Sequence, residues 1–126
     1  MQDFGFWLQF CGTVIGGGSG FAIINNVTQM NISLGGDARL NDVFVTLISL
    51  GNCAGRLLFG AVSDYFLQIS CVPRPFFFGV AVLLMGLTHA SMLLVSSPWI
   101  MYVAASVGGL SYGGINCLFP IVANEA

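Results

Sequence analysis

Charged side chains are scarce in this sequence. Only 6% of its 126 residues are Asp, Glu, Lys or Arg, against about 25% in an ordinary soluble domain. A soluble fold of this length could not cover its surface with so few charges, and no basic patch is present that would favour a nucleic acid partner. Apolar residues make up 56% of the chain, and its mean hydropathy is +0.90. The composition therefore predicts an all-α, multi-pass integral membrane protein, without selecting one membrane.

The residue clusters that carry chemistry are missing as well. The four cysteines contain no C-x-x-C pair, and three fall in predicted helices, where cysteine acts as a small apolar residue. No nucleophile, base or metal cluster occurs at usable spacing. We therefore expect no enzyme activity, no metal and no cofactor. The positions are Cys11, Cys53, Cys71 and Cys117.

The beginning of the chain lacks the basic region of a signal peptide. It reads Met1-Gln2-Asp3, and the apolar run that follows is too long for such a peptide. The sequence stops at Glu125-Ala126, just after a predicted span and without a hydrophilic tail. From these features we expect the chain to be a fragment of a larger protein.

Four apolar stretches are long enough to cross a bilayer. They run from about residues 4–30, 42–65, 75–95 and 99–123. The segment between the first two contains Gly35-Gly36 and two charges, which predicts a loop. Asp42 is predicted to cap the second helix, and residues 68–73 to form a short loop that leads into Pro73-Arg74-Pro75.

Glycines spaced four apart occur in two of the predicted helices. In a membrane this spacing lets another helix approach closely, so we expect these glycines to serve helix packing. The run Gly16–Gly20 also predicts a kink or local unwinding, because glycine lowers helix propensity by about 1 kcal/mol. The spaced glycines are Gly12, Gly16 and Gly20 in the first helix, and Gly109 and Gly113 in the fourth.

Arg56 is the one charged residue well inside a predicted span. Asn52 precedes it and Gly60 and Asp64 follow it in steps of four, and because each step turns a helix by about 400°, all four lie on one third of its circumference. Helical side chains lean towards the helix N-terminus, so Arg56 should not pair with Asp64, about 12 Å further along. Arginine in a span costs about 2.5–3.5 kcal/mol and usually faces protein or a water-filled cavity. Three interpretations stay open: contact with a substrate or coupling ion, pairing or packing against another helix, and snorkelling to the interface.

Further polar residues are candidates for the same site. Asn25, Asn26 and Asn52 either line a central cavity or form hydrogen bonds between helices, worth about 0.6 kcal/mol each. His89 is a candidate for proton relay, since imidazole can give and take protons. The alternative for His89 is a packed histidine near the membrane interface.

Short motifs follow one another in a specific order over nearly the whole chain. They are Gly12-Thr13, Gly18-Ser19-Gly20, Ile24-Asn25-Asn26 with Gln29, Ser33-Leu34-Gly35, Phe44-Val45 with Leu47-Ile48-Ser49, Asn52 with Gly55-Arg56, Gly60 with Ser63-Asp64, Pro73-Arg74-Pro75, Gly86 with His89, and Gly109 with Tyr112-Gly113, Pro120 and Glu125. In this order they resemble the C-terminal half of the nodulin-like transporters of the major facilitator superfamily.

The resemblance implies that the four spans correspond to helices seven to ten of a twelve-helix fold, so that the chain is a partial C-terminal half. Both ends would be cytosolic. Gly60, Asp64 and Arg74 then match the family's cytoplasmic gating motif, which has Gly-x-x-x-Asp followed by a basic cluster. This sequence has a single arginine flanked by prolines there. A latch between Asp64 and Arg74 is implied, with an ordinary solvated helix end as the alternative.

The function implied by the resemblance is alternating-access transport of a small solute. Arg56 makes a small organic anion the favoured solute class. The expected partners are the lipid bilayer, the solute and the missing helices of the full-length transporter. The alternative is a four-span scaffold or accessory protein that transports nothing and associates with other membrane proteins through its glycine faces.

Overall fold

The fold is a bundle of helices. A computed structural model describes residues 4–94 and 97–125. Its elements are α1 (Phe4–Ser33), a 3₁₀ turn (Ala38–Leu40), α2 (Asn41–Ser70), α3 (Arg74–Leu94) and α4 (Pro98–Glu125). Met1, Ala126 and the predicted end of the third span at residue 95 lie outside the described residues.

All four helices are long and apolar enough to cross a membrane. The prediction of an all-α chain with four candidate spans is therefore confirmed. By length and composition the chain is a multi-pass membrane protein, and its apolar outer surface is compatible with contact to lipid.

The central helix is α4, and the other three pack around it. It makes its most extensive contact with α2, followed by α3 and α1, whereas α2 touches α1 and α3 only lightly. Half of its most apolar stretch (50%) is buried inside the chain, against 22% for each of the other three helices. The core therefore consists of α4 and one face of each neighbour.

Four glycines bring the backbones of α2 and α4 into direct contact. A Cβ atom at Gly51 would come within 2.6 Å of the Ser106 carbonyl oxygen. A Cβ atom at any of the other three would overlap a backbone carbonyl oxygen of the facing helix. Only hydrogen atoms fit in this space, so the four residues define a glycine crossing. They are Gly51 and Gly55 on α2, and Gly109 and Gly113 on α4.

The order of contacts along the glycine crossing shows that α2 and α4 run in the same direction. Gly109 meets the backbone of Ile48, and Gly113 meets that of Asn52, one turn further along both helices. Two parallel helices separated by one antiparallel span are what an up-down-up-down chain requires.

The glycines of α1 also face inward, but towards side chains rather than backbone. Gly12 lies against Phe78, Gly16 against Ile115 and Gly20 against Tyr112, whose Cδ2 atom would be 2.6 Å from a Cβ. These glycines have the same spacing as those of the glycine crossing, but they contact side chains instead of backbone.

Two local predictions are wrong. Helix α1 is continuous from Phe4 to Ser33, so the local unwinding predicted for Gly16–Gly20 is wrong, while a kink there stays a prediction. In a membrane each unpaired backbone group costs several kcal/mol, which outweighs the low helix propensity of glycine. Asp42 does not cap α2, because the N-cap is Leu40 at the end of the 3₁₀ turn and no side chain bonds to it. Asp42 instead lies in the first turn, where a carboxylate favours the helix dipole.

Both connections around α2 are shorter than the sequence indicates. In the connection between α1 and α2, Asn31 forms two hydrogen bonds. Its Nδ2 donates to the Asp37 carbonyl at 3.0 Å, and its own carbonyl accepts from Gly36 N–H at 2.9 Å. Gly35 makes the turn with φ +79°, a conformation that glycine adopts without strain. At the other end α2 continues past Tyr65 to Ser70, and Cys71 terminates it with φ 52°.

The glycine crossing predicts a difference between two glycine-to-alanine variants. Gly113→Ala should lower the stability of the protein by about 1–3 kcal/mol, because the new methyl group forces two backbones apart. Gly17→Ala is the matched control, since nothing lies within 4 Å of its Cβ position. Thermal unfolding in detergent measures both, and equal melting temperatures would contradict the close crossing.

Candidate functional site

The polar candidates are distributed over three helices. Asn25 and Asn26 are exposed on α1, Asn52 is half-buried and Arg56 exposed on α2, and His89 is half-buried on α3. A hydrogen bond links one pair of these five among the described residues, namely Asn52 and Arg56.

Arg56 lies halfway along α2 with its side chain exposed. Its Nε donates to Asn52 Oδ1 at 3.2 Å, which directs the guanidinium towards the N-terminal end of the helix and away from Asp64. No acidic side chain pairs with Arg56 in the part of the chain that the structure describes. Snorkelling towards a membrane interface stays an open interpretation of this exposed charge, beside contact with a solute or pairing with another helix.

Asn116 on α4 lies on the same side of the glycine crossing as Arg56. A Cβ atom at Gly113 would be 3.0 Å from the Arg56 backbone nitrogen, so Gly113 and Arg56 lie at the same level along the bundle. Gly114 packs against Phe59 on one side of the crossing. From Gly113, Gly114 lies about 100° round α4 in one direction and Asn116 about 60° in the other. On α2, Arg56 lies about 60° round the helix from Phe59. Asn52, Arg56 and Asn116 therefore share one surface, the Arg56 flank.

Asn116 was not among the residues that the sequence singled out. Its side chain is exposed, and its Nδ2 donates to the Tyr112 carbonyl at 2.9 Å. Pro120 follows four residues later and has no N–H, so it cannot donate to the Asn116 carbonyl. A proline four residues after an asparagine inside a span is the signal that would have drawn attention to Asn116.

The other candidates form hydrogen bonds within their own helices. Asn26 Nδ2 donates to the Ala22 carbonyl at 2.8 Å. His89 Nδ1 lies 2.9 Å from the Met85 carbonyl. A carbonyl only accepts, so Nδ1 carries the hydrogen of this bond. No hydrogen bond joins Asn25, Asn26 or His89 to Arg56 among the described residues.

An ion pair joins the end of α2 to the start of α3. Arg74 Nη2 lies 2.8 Å from Asp64 Oδ1, and Arg74 Nε donates to the same oxygen at 3.2 Å. The side chains are 21% and 55% exposed, so the pair is worth at most about 1 kcal/mol. Gly60, one turn before Asp64, faces Cys117 on α4 rather than the loop. Because both side chains are partly exposed to solvent, the ion pair contributes little to stability.

No cluster in the described residues resembles a metal site, since nowhere do three or more His, Cys, Asp or Glu side chains come together. Comparison of the chain with protein-family models, with curated proteins and with solved structures gives no match.

The ion pair predicts a measurable coupling between Asp64 and Arg74. In a double-mutant cycle with Asp64→Asn and Arg74→Gln, we expect a coupling free energy above zero and up to about 1 kcal/mol, read from unfolding in detergent. Asp42→Asn in place of Asp64→Asn is the control cycle and should give no coupling with Arg74. A coupling that is absent from both cycles would contradict the ion pair.

Proposed function

We propose that this chain is part of a secondary transporter that moves a small solute by alternating access, and that the Arg56 flank faces the solute pathway. The observation that carries the proposal is the exposed guanidinium of Arg56, halfway along an apolar helix and held outward by Asn52. A charge inside a span costs about 2.5–3.5 kcal/mol and usually faces protein or a water-filled cavity.

Transporters place their solute sites near the middle of the membrane, between two groups of helices. Arg56 lies near the middle of α2, and the flank on which it lies is exposed in this chain. Guanidinium groups bind carboxylates through two parallel hydrogen bonds. A small organic anion is therefore the solute class that we propose.

The nodulin-like branch of the major facilitator superfamily is the family that we propose for the chain, on the motif order described above. In that arrangement α1 to α4 take the places of helices seven to ten, and the remaining helices of the transporter cover the Arg56 flank. The Asp64–Arg74 ion pair then lies in the cytoplasmic gating motif. Its small energy suits a contact that breaks and forms again in each transport cycle.

A scaffold that associates through its glycine faces is the alternative. The structure favours it less, because those glycines already have neighbours within the chain. Gly12, Gly16 and Gly20 lie against side chains of α3 and α4, while Gly109 and Gly113 lie against the backbone of α2. A partner helix would have to bind elsewhere.

Uptake by the full-length protein tests the role of Arg56. With a panel of labelled small carboxylates, Arg56→Ala should lower uptake about ten- to hundredfold, because charge-assisted hydrogen bonds are lost. Arg56→Lys keeps the charge but loses the paired geometry, so it should retain part of the activity. Arg39→Ala, at an exposed position outside the spans, is the control and should transport normally.

The same variants separate a solute role from a structural one. Size-exclusion profiles in detergent report whether each variant is folded. A folded Arg56→Ala protein with unchanged transport kinetics, together with unchanged kinetics for Arg56→Lys, would overturn the solute role. An Arg56→Ala protein that aggregates would instead assign Arg56 to pairing with another helix.

A further inference from the structure

We propose that Asn116 is a second contact for the solute, a hydrogen-bond acceptor that selects anions carrying a hydrogen-bond donor close to the charge. The inference rests on the proposed function, in which the Arg56 flank faces the solute pathway. It adds a residue on α4 and narrows the class of ligand.

The side chains of Arg56 and Asn116 lean along their helices in the same direction. Helical side chains lean towards the N-terminus of their helix, and α2 and α4 run in parallel. Arg56 reaches back to Asn52, and Asn116 reaches back to Tyr112. The two residues therefore lie at the same level, on one side of the glycine crossing, and both side chains lean towards the N-terminal ends of α2 and α4.

The exposed group of Asn116 is an acceptor. The Tyr112 carbonyl can only accept a hydrogen bond, so the amide nitrogen of Asn116 must face it, and Oδ1 faces outward. Oδ1 accepts no hydrogen bond within the described residues. The backbone carbonyl of Asn116 also lacks its helical donor, because Pro120 has no N–H. Asn116 thus presents two acceptor oxygens, beside the one amide hydrogen of its NH₂ group that does not bond to Tyr112.

Arg56 has the opposite character, because a guanidinium only donates. The flank therefore presents a positively charged donor on α2 and a neutral acceptor on α4. A carboxylate satisfies Arg56, and a hydroxyl or ammonium group on the neighbouring carbon satisfies Asn116. An anion without that donor displaces water from the Asn116 oxygens without replacing the hydrogen bonds that the water donated. Its binding is weaker for that reason.

Two anions of nearly equal size test this inference. Glycolate carries a hydroxyl where propionate carries a methyl group. The intact protein, reconstituted in liposomes, should bind glycolate about ten- to hundredfold more tightly than propionate. In Asn116→Leu this preference should disappear, while Gln29→Leu, which removes an exposed amide from α1, should keep it.

A second variant covers the case in which Asn116→Leu fails to fold. Pro120→Ala supplies an N–H that can bond to the Asn116 carbonyl, so the preference for glycolate should fall without loss of binding. An unchanged preference in folded Asn116→Leu protein, or in Pro120→Ala protein where Asn116→Leu does not fold, would overturn the inference, and so would equal binding of both anions by the unaltered protein. If Arg56→Ala leaves the binding of both anions unchanged, the proposed function fails as well.

Discussion

The backbone contact between α2 and α4 is the constraint on which the rest of the structure depends. Lipid is as apolar as leucine, so helices in a membrane associate through close packing rather than through the hydrophobic effect. The glycine crossing provides that closeness, because carbonyl oxygens of one helix lie where side chains of the other would be. It fixes the height of α2 against α4, and α1 and α3 then pack around the pair.

The same contact determines where the polar groups lie. Phe59 and Gly114 fill one side of the crossing, which leaves the other side to Asn52, Arg56 and Asn116. Most of the remaining outer surface is apolar, including Leu57, next to Arg56 in sequence and 69% exposed. The Arg56 flank is thus a polar face on an apolar bundle, while the Asp64–Arg74 ion pair lies apart from it at the ends of α2 and α3.

Hydropathy alone was enough to predict four helices, because a span needs only length and apolar character. The separation of Arg56 from Asp64 also followed from helix geometry. The partners of the glycines could not be predicted, because a spacing of four indicates a close neighbour but not whether that neighbour is backbone or side chain. Gly51 and Gly55 carry the same spacing as Gly109 and Gly113, but the sequence does not show that their neighbour is a backbone. Asn116 could not be identified as part of the Arg56 flank from the sequence, because it is a candidate only through its position beside Arg56, which is 60 residues away in the chain.

Thiol labelling tests the central claim, that the Arg56 flank faces water rather than lipid. The native cysteines, Cys11, Cys53, Cys71 and Cys117, are first replaced by alanine in the intact reconstituted protein. A charged, membrane-impermeant thiol reagent should then modify Asn116→Cys rapidly and leave Leu57→Cys, on the apolar surface, unmodified. Equal labelling of the two cysteines, or labelling of Leu57→Cys alone, would contradict the account.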